Sequence, residues 1–234
     1  LINTVRTIVV HHLGLIATTN RQTALKSYEW ESDMNDTTNV TTELRAMVRR
    51  ELPEVGEIQD SDLREKVIEV WALAISESSF SAISEIKASG NPDTPPLKQG
   101  TQADHLRGVT RIAIRIADEL SDMFDLLTVN RDHLIAGALC HDVGKPWEFD
   151  PENQKRWKSS PKSAGLPSIR HPAYGVYLCL RVGLPEEVAH CAGAHSGEGQ
   201  FLQRSLENTI VHFADYSFWN ILKAGGVLED GQVH

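Results

Sequence analysis

The run R-D-H-L-I-A-G-A-L-C-H-D-V-G-K, Arg131 to Lys145, decides the fold: an apolar helical stretch passes directly into His141 and Asp142 and is ended by Gly144. An adjacent histidine and aspartate at a helix terminus can project both side chains into one cavity. Imidazole beside carboxylate suits Mn, Fe, Co or Zn, whereas calcium takes oxygen ligands almost exclusively.

Working outward, the segment before this run is also helical. His105, Val109, Ile112, Ile116 and Leu120 recur at steps of four, three, four and four, which places His105 at the end of a core-facing stripe. On the other side, Pro146 to Ile169 is polar, carries Trp147, Trp157 and four basic residues between Lys155 and Lys162, and reads as an irregular substrate-facing lid. His171-Pro172 then opens a helix to about Val182. Gly183 stops it, Pro185 is the first residue of the next helix, and a last helix runs from about Leu206 to Lys223.

Further upstream, a helix is expected from about Thr42 to Leu52, stopped by Pro53 and Gly56. A longer one follows Asp60 and Ser61, with Leu63, Val67, Val70, Trp71 and Ala74 on one face. Ser76, Ser78 and Ser79 weaken it, and the helical pattern resumes through Phe80, Ile83 and Ile86. Gly90, Pro92, Pro95, Pro96 and Gly100 then mark a linker. Residues 1–40 hold an apolar start and a turn-rich end. No long alternating run argues for a sheet, so the expected class is all-α. The expected division is a helical region at 1–100, packed on the core, and a metal-binding helical domain at 101–234.

Composition narrows the function classes. A formal net charge of −9 with interspersed signs argues against a nonspecific grip on nucleic acid or anionic membranes. Bound metal ions would reverse the local potential, so an anionic substrate remains compatible. Cys140, Cys179 and Cys191 are odd in number and lack C-x-x-C spacing, which reads as buried thiols in a reducing compartment. The apolar stretch from Ile8 to Ala17 is far shorter than the roughly 20 residues of a membrane span and shows no cleavage pattern, so a cytoplasmic location is expected.

His105, H-D-V-G-K at 141–145 and A-D-Y at 214–216 resemble the H…HD…D signature of the HD-domain superfamily, over roughly residues 101 to 222. H-P-A-Y-G at 171–175 and the helix ending at His195 resemble the additional histidine elements of its two-metal branch. Successive elements are 36, 30, 24 and 20 residues apart, and each interval holds one helix and its connection. The resemblance implies an HD-domain helical bundle with an N-terminal helical extension. It also implies two divalent transition metals, Fe or Mn first, with Co, Ni, Zn or Mg as alternatives.

By the same resemblance Asp142 bridges both metals, His105, His141 and Asp215 complete one, and His171 and His195 complete the other. A hydroxide between the metals would be the nucleophile. Lys145 would supply a further positive contact to a phosphoryl group and joins Asp142 as a catalytic candidate. Trp147 and Arg170 are candidate substrate contacts. His212, three residues before Asp215, is a candidate to support a ligand from behind, whereas His11, His12, His133 and His190 lie outside the pattern.

The implied activity is a metal-dependent phosphohydrolase acting on a phosphomonoester, nucleotide or phosphodiester, with a small phosphorylated molecule as substrate. After His195 the chain reads S-G-E-G-Q, unlike the H-H-E-x-x-D-G-x-G-Y-P element of cyclic-dinucleotide phosphodiesterases, which argues against cyclic di-GMP. The same six ligands also serve mixed-valent di-iron oxygenases similar to inositol oxygenase and the phosphonate-cleaving oxygenases. A third reading is a metal-bound regulatory or binding module, with the first hundred residues capping the site or forming a homo-oligomer interface.

Overall fold

The computed structural model describes residues 39–90 and 95–230. The expectations for residues 1–38, including His11 and His12, and for Pro92 lie outside the described residues. Among the described residues the regular structure is helical, with two isolated antiparallel bridges, Lys87–Thr101 and Leu97–Leu228. No helix there is long and apolar enough to cross a membrane.

The helices begin where local chemistry satisfies their first N–H groups. In α1, Thr42–Glu51, the Thr41 hydroxyl accepts from the Leu44 N–H at 3.3 Å. In α2, Ser61–Ser76, the Asp60 carboxylate accepts from the N–H groups of Asp62 and Leu63. A capping box formed by Thr101 and Asp104 opens α3, Gln102–Met123. Asn130 caps α4, Arg131–Cys140, through the His133 N–H.

Two stretches differ from the expectation. The helix entered at Ser61 ends at Ser76 and does not resume; Phe80 to Ile86 is irregular apart from a 3-10 turn at Ile83–Glu85. The Ser76 and Ser78 hydroxyls donate to the Leu73 and Ile75 carbonyls, and the Asp150 carboxylate accepts from both the N–H and the hydroxyl of Ser79. Those bonds compete with helix propagation. Conversely, Pro146 to Ile169 carries three short helices rather than an irregular lid: α5, Lys145–Phe149, α6, Pro151–Ser159, and α7, Pro161–Ala164. A proline stands in the first turn of each, where its missing N–H costs nothing, and Asp150 caps α6.

The remaining helices are α8, His171–Arg181, α9, Glu186–Ala194, with Pro185 as its cap residue, and α10, Leu206–Ala224. After α10, Gly226 takes a positive φ of 71° and turns the chain back, so that the Lys98 N–H donates to the Val227 carbonyl at 2.9 Å.

The core is organised around α4. Leu134 to Cys140 are all buried, consistent with a short helix that is apolar on every side. One hydrophobic cluster joins Val48, Val67, Trp71 and Ile86 to Leu106, Leu139, Leu178 and Val188, so it runs without interruption across residue 100. A second joins Val109, Leu134, Ala138, Ile210 and Val211. The Trp71 indole N–H donates to the Leu139 carbonyl at 2.8 Å and ties α2 to α4. The packed centre thereby fixes the end of α4, where His141 and Asp142 stand.

Candidate metal centre

Six side chains converge at the inner end of α4. His105 comes from the first turn of α3, His141 and Asp142 from the end of α4, His171 from the first residue of α8, His195 from the end of α9 and Asp215 from the middle of α10. All six are buried, with Asp215 the most exposed at 8%. Gly144 makes the convergence sterically feasible, because a Cβ there would stand 2.1 Å from the His171 carbonyl oxygen.

Asp142 is the hub. Its Oδ2 lies 3.1 Å from His105 Nε2 and 3.3 Å from His141 Nε2. Its Oδ1 lies 3.2 Å from His171 Nε2 and 3.6 Å from His195 Nε2. Each carboxylate oxygen therefore faces its own histidine pair. Asp215 Oδ1 stands 3.5 Å from His105 Nε2.

Three of the rings are held from behind. His141 Nδ1 meets the Ala138 carbonyl at 2.6 Å, His195 Nδ1 the Ala192 carbonyl at 3.0 Å, and His171 Nδ1 the Glu148 carboxylate at 2.6 Å. Those partners only accept, which assigns the proton to Nδ1 and leaves each Nε2 lone pair aimed at Asp142. His105 Nε2 and His141 Nε2 stand 3.1 Å apart, and Asp215 Oδ1 is buried without a hydrogen-bond donor. Inward lone pairs and carboxylates this close call for cations between them, and the donor set fits divalent transition metals.

Ligand atoms within 4.8 Å of one another form the triads His105–His141–Asp142 and Asp142–His171–His195, which share Asp142. A third triad, His141–His195–Asp215, spans the two.

Electrostatics follow from burial and pairing. Burial raises the Asp142 carboxyl, but Lys145 and His141 outweigh it and hold its pKa well below the usual carboxylate range. Burial pushes His195 well below the ordinary imidazole value and also lowers His105. For His141 the same burial is overcome by the Asp142 carboxylate, so its pKa rises. Lys145 is itself buried; its ammonium sits 2.8 Å from Asp142 Oδ2 and donates to the Ser89 carbonyl.

The other anticipated residues occupy different places. His212 Nδ1 contacts the His195 carbonyl, and His212 therefore acts on the main chain behind a ligand. Trp147 stacks on Tyr174 at 4.6 Å, away from the cluster. Arg170 pairs with Glu148 and Glu198 and borders an outer cleft of about 440 Å³ that contains none of the six side chains. Neither Trp147 nor Arg170 borders the cavity that opens on the cluster. That cavity, about 200 Å³, is bordered by Asp142, Lys145, His171, His195, Asp215 and the outer turns of α10.

Sequence reasoning missed two residues. Gln102 donates from Nε2 to Asp142 Oδ2 at 2.8 Å, and its position three residues before His105 on the same helix face was a usable signal. Glu148, buried beside His171, lies in the stretch read as irregular and carried no spacing cue.

A buried histidine-aspartate cluster supplied from five helices of an all-α bundle defines a class of metal-centre proteins. Residues 103–218, which contain all six side chains, match the family model described as HD domain. The chain is similar to a dihydroneopterin 2',3'-cyclic phosphate phosphodiesterase of Methanocaldococcus jannaschii, with 29% identity over 163 residues. The match covers 68% of this chain and 64% of that enzyme's length. No solved structure matches the chain.

Proposed function

We propose that the chain is a metal-dependent phosphohydrolase for a small phosphorylated substrate, with a phosphodiester as the favoured linkage. The observation that carries this reading is Asp142, whose two oxygens face separate histidine pairs as a bridge between two cations requires. In this reading His105, His141 and Asp215 hold one ion with Asp142, and His171 and His195 hold the other. Fe or Mn is the favoured metal. The activity named for the archaeal relative supports hydrolysis of a phosphodiester over the di-iron oxygenase alternative.

Two divalent ions held there would bring the pKa of a water toward neutrality and neutralise charge on phosphoryl oxygens. The protein's own groups do the rest. Lys145 lies at the cavity and adds a buried positive charge beside Asp142, so a phosphoryl group entering the cavity meets a cation that burial keeps undiluted by solvent. Gln102 and Lys145 both donate to Asp142 Oδ2 and fix the carboxylate plane. A cavity volume of about 200 Å³ suits a small molecule rather than a polymer strand.

Residues 39–90 are proposed to act as the outer half of this folding unit, holding α4 in place. A reducing, cytoplasmic setting fits the three free, buried cysteines.

The test is a phosphate-ester screen on protein loaded with Mn or Fe, covering bis-p-nitrophenyl phosphate, 2',3'-cyclic nucleotides and simple phosphomonoesters. Metal-dependent turnover that Asp142→Ala abolishes is the expected result. Metal-loaded protein that hydrolyses none of them would overturn the proposal.

A further inference from the structure

Beyond Asp215, the cavity wall built by α10 has no part in metal binding, yet its composition is selective. Tyr216, Trp219, Asn220 and Lys223 all border the cavity. They follow Asp215 by one, four, five and eight residues, which places them along one side of the helix as it leaves the metal cluster. At 1.5 Å of rise per residue, Trp219 lies about 6 Å and Lys223 about 12 Å along the axis from Asp215.

The wall is anchored at its inner end and open at its outer end. Trp219 is half-buried and its ring packs on the His105 ring at 5.0 Å, so its position is set by a ligand of the cluster. Tyr216 is 40% exposed and its ring packs on His212 at 4.4 Å. Asn220 and Lys223 are exposed, and among the described residues Lys223 has no ion-pair partner. Leu228, held against Leu97 by the bridge, gives the facing rim an apolar side chain.

We infer that this side of α10 is a recognition wall for phosphate esters that carry a planar, hydrogen-bonding ring. The phosphoester half of that inference rests on the hydrolase reading; the ring half rests on the wall. With the phosphoryl group at the cluster, a directly attached ring-bearing group reaches Trp219 one helical turn away. The indole offers its face, Asn220 an amide for the polar edge, and Lys223 a cation for an acceptor at the far end. A cavity of about 200 Å³ is smaller than sites for drug-sized ligands, about 300–1,000 Å³, so it takes the phosphoryl group and one ring system and leaves the remainder outside. Stacking of a base on an aromatic side chain corresponds to roughly ten-fold or more in affinity.

The test compares two phosphate esters, guanosine 3'-phosphate and glycerol 2-phosphate, by calorimetric titration of the metal-loaded full chain, with phosphate release followed in parallel. The wild type is expected to bind the guanosine ester about ten-fold more tightly. Trp219→Leu should bring that ratio near one, Trp219→Phe should keep most of it, and Lys223→Ala should weaken only the guanosine ester. Metal content and far-UV circular dichroism verify that each variant is folded; Trp219→Phe and the exposed Lys223→Ala keep the test decisive if Trp219→Leu is unstable. A wild-type ratio near one, or a folded Trp219→Leu that retains the preference, would overturn the wall. A ten-fold preference without hydrolysis of any phosphate ester would overturn the hydrolase reading and leave the wall standing.

Discussion

Glu148 holds His171 twice: one carboxylate oxygen accepts from the His171 backbone N–H at 2.7 Å and from the ring Nδ1–H at 2.6 Å. Arg170 pairs with the same carboxylate and with Glu198, whose other oxygen accepts from the Ser196 hydroxyl, so the turns carrying His171 and His195 are braced together. A carboxylate behind a metal-binding histidine fixes its tautomer and raises its basicity. Glu148→Ala is therefore expected to weaken one of the two proposed metals about 10- to 100-fold and leave the other nearly unchanged. Metal titration of the apo-protein, read as two separate binding events, checks this.

Gly144, in the turn that follows α4, lies against the first turn of α8. Because an added Cβ would meet the His171 carbonyl oxygen at 2.1 Å and the Gly175 nitrogen at 2.8 Å, Gly144→Ala must push the start of α8 away from Asp142. Backbone cannot yield as a flexible side chain can, so the expected cost is about 3 kcal/mol in denaturant unfolding. Metal content should fall with it.

Acid should destabilise the metal-free protein. The His195 and His105 rings are kept neutral by burial, so below about 6.5 the unfolded chain binds protons that the folded chain does not, and stability falls with pH. Asp142 and Glu148 have depressed pKa values despite their burial. Their contribution is complete above the ordinary carboxyl values of 3.8 and 4.5 and drains away as pH falls through the lower folded values. His141 acts in the opposite sense, since its raised pKa adds stability below 6.5 that is lost as pH rises. Between pH 7 and pH 4 the two lowered histidines outweigh the one raised histidine, and the two carboxyls deepen the loss below that window. Thermal unfolding of the apo-protein should show Tm falling from pH 7 to pH 4; a constant or rising Tm would contradict this.

Much of the architecture was legible because the chain punctuates itself. Asp60 stands at a helix start and Gly183 at a helix stop, and the resemblance to the H…HD…H…H…D pattern singled out His105, His141, Asp142, His171, His195 and Asp215, which the fold brings within reach of one another. Harder to read were features set by tertiary contact. The Ser79 bonds to Asp150, 71 residues away, help end a helix whose apolar periodicity continues through Ile83 and Ile86. A polar composition made 146–169 look like loop, although Pro146, Pro151 and Pro161 each sit where a short helix accepts a proline. Trp147 and Arg170 looked like substrate contacts by proximity in sequence; stacking on Tyr174 and pairing with Glu148 and Glu198 give them other partners. The outer side of the cavity is instead bordered by Trp219, Asn220 and Lys223 of α10, which lie beyond the A-D-Y motif and belong to no motif.

Asp142 is proposed to join two metals. The most direct measurement is metal content per chain, by elemental analysis after anaerobic reconstitution with Mn or Fe and removal of excess, for the wild type, Asp142→Ala and His171→Ala. Two metals in the wild type, close to none in Asp142→Ala and close to one in His171→Ala are the predicted values. A wild type that retains no metal, or an Asp142→Ala variant that still holds two, would contradict the account.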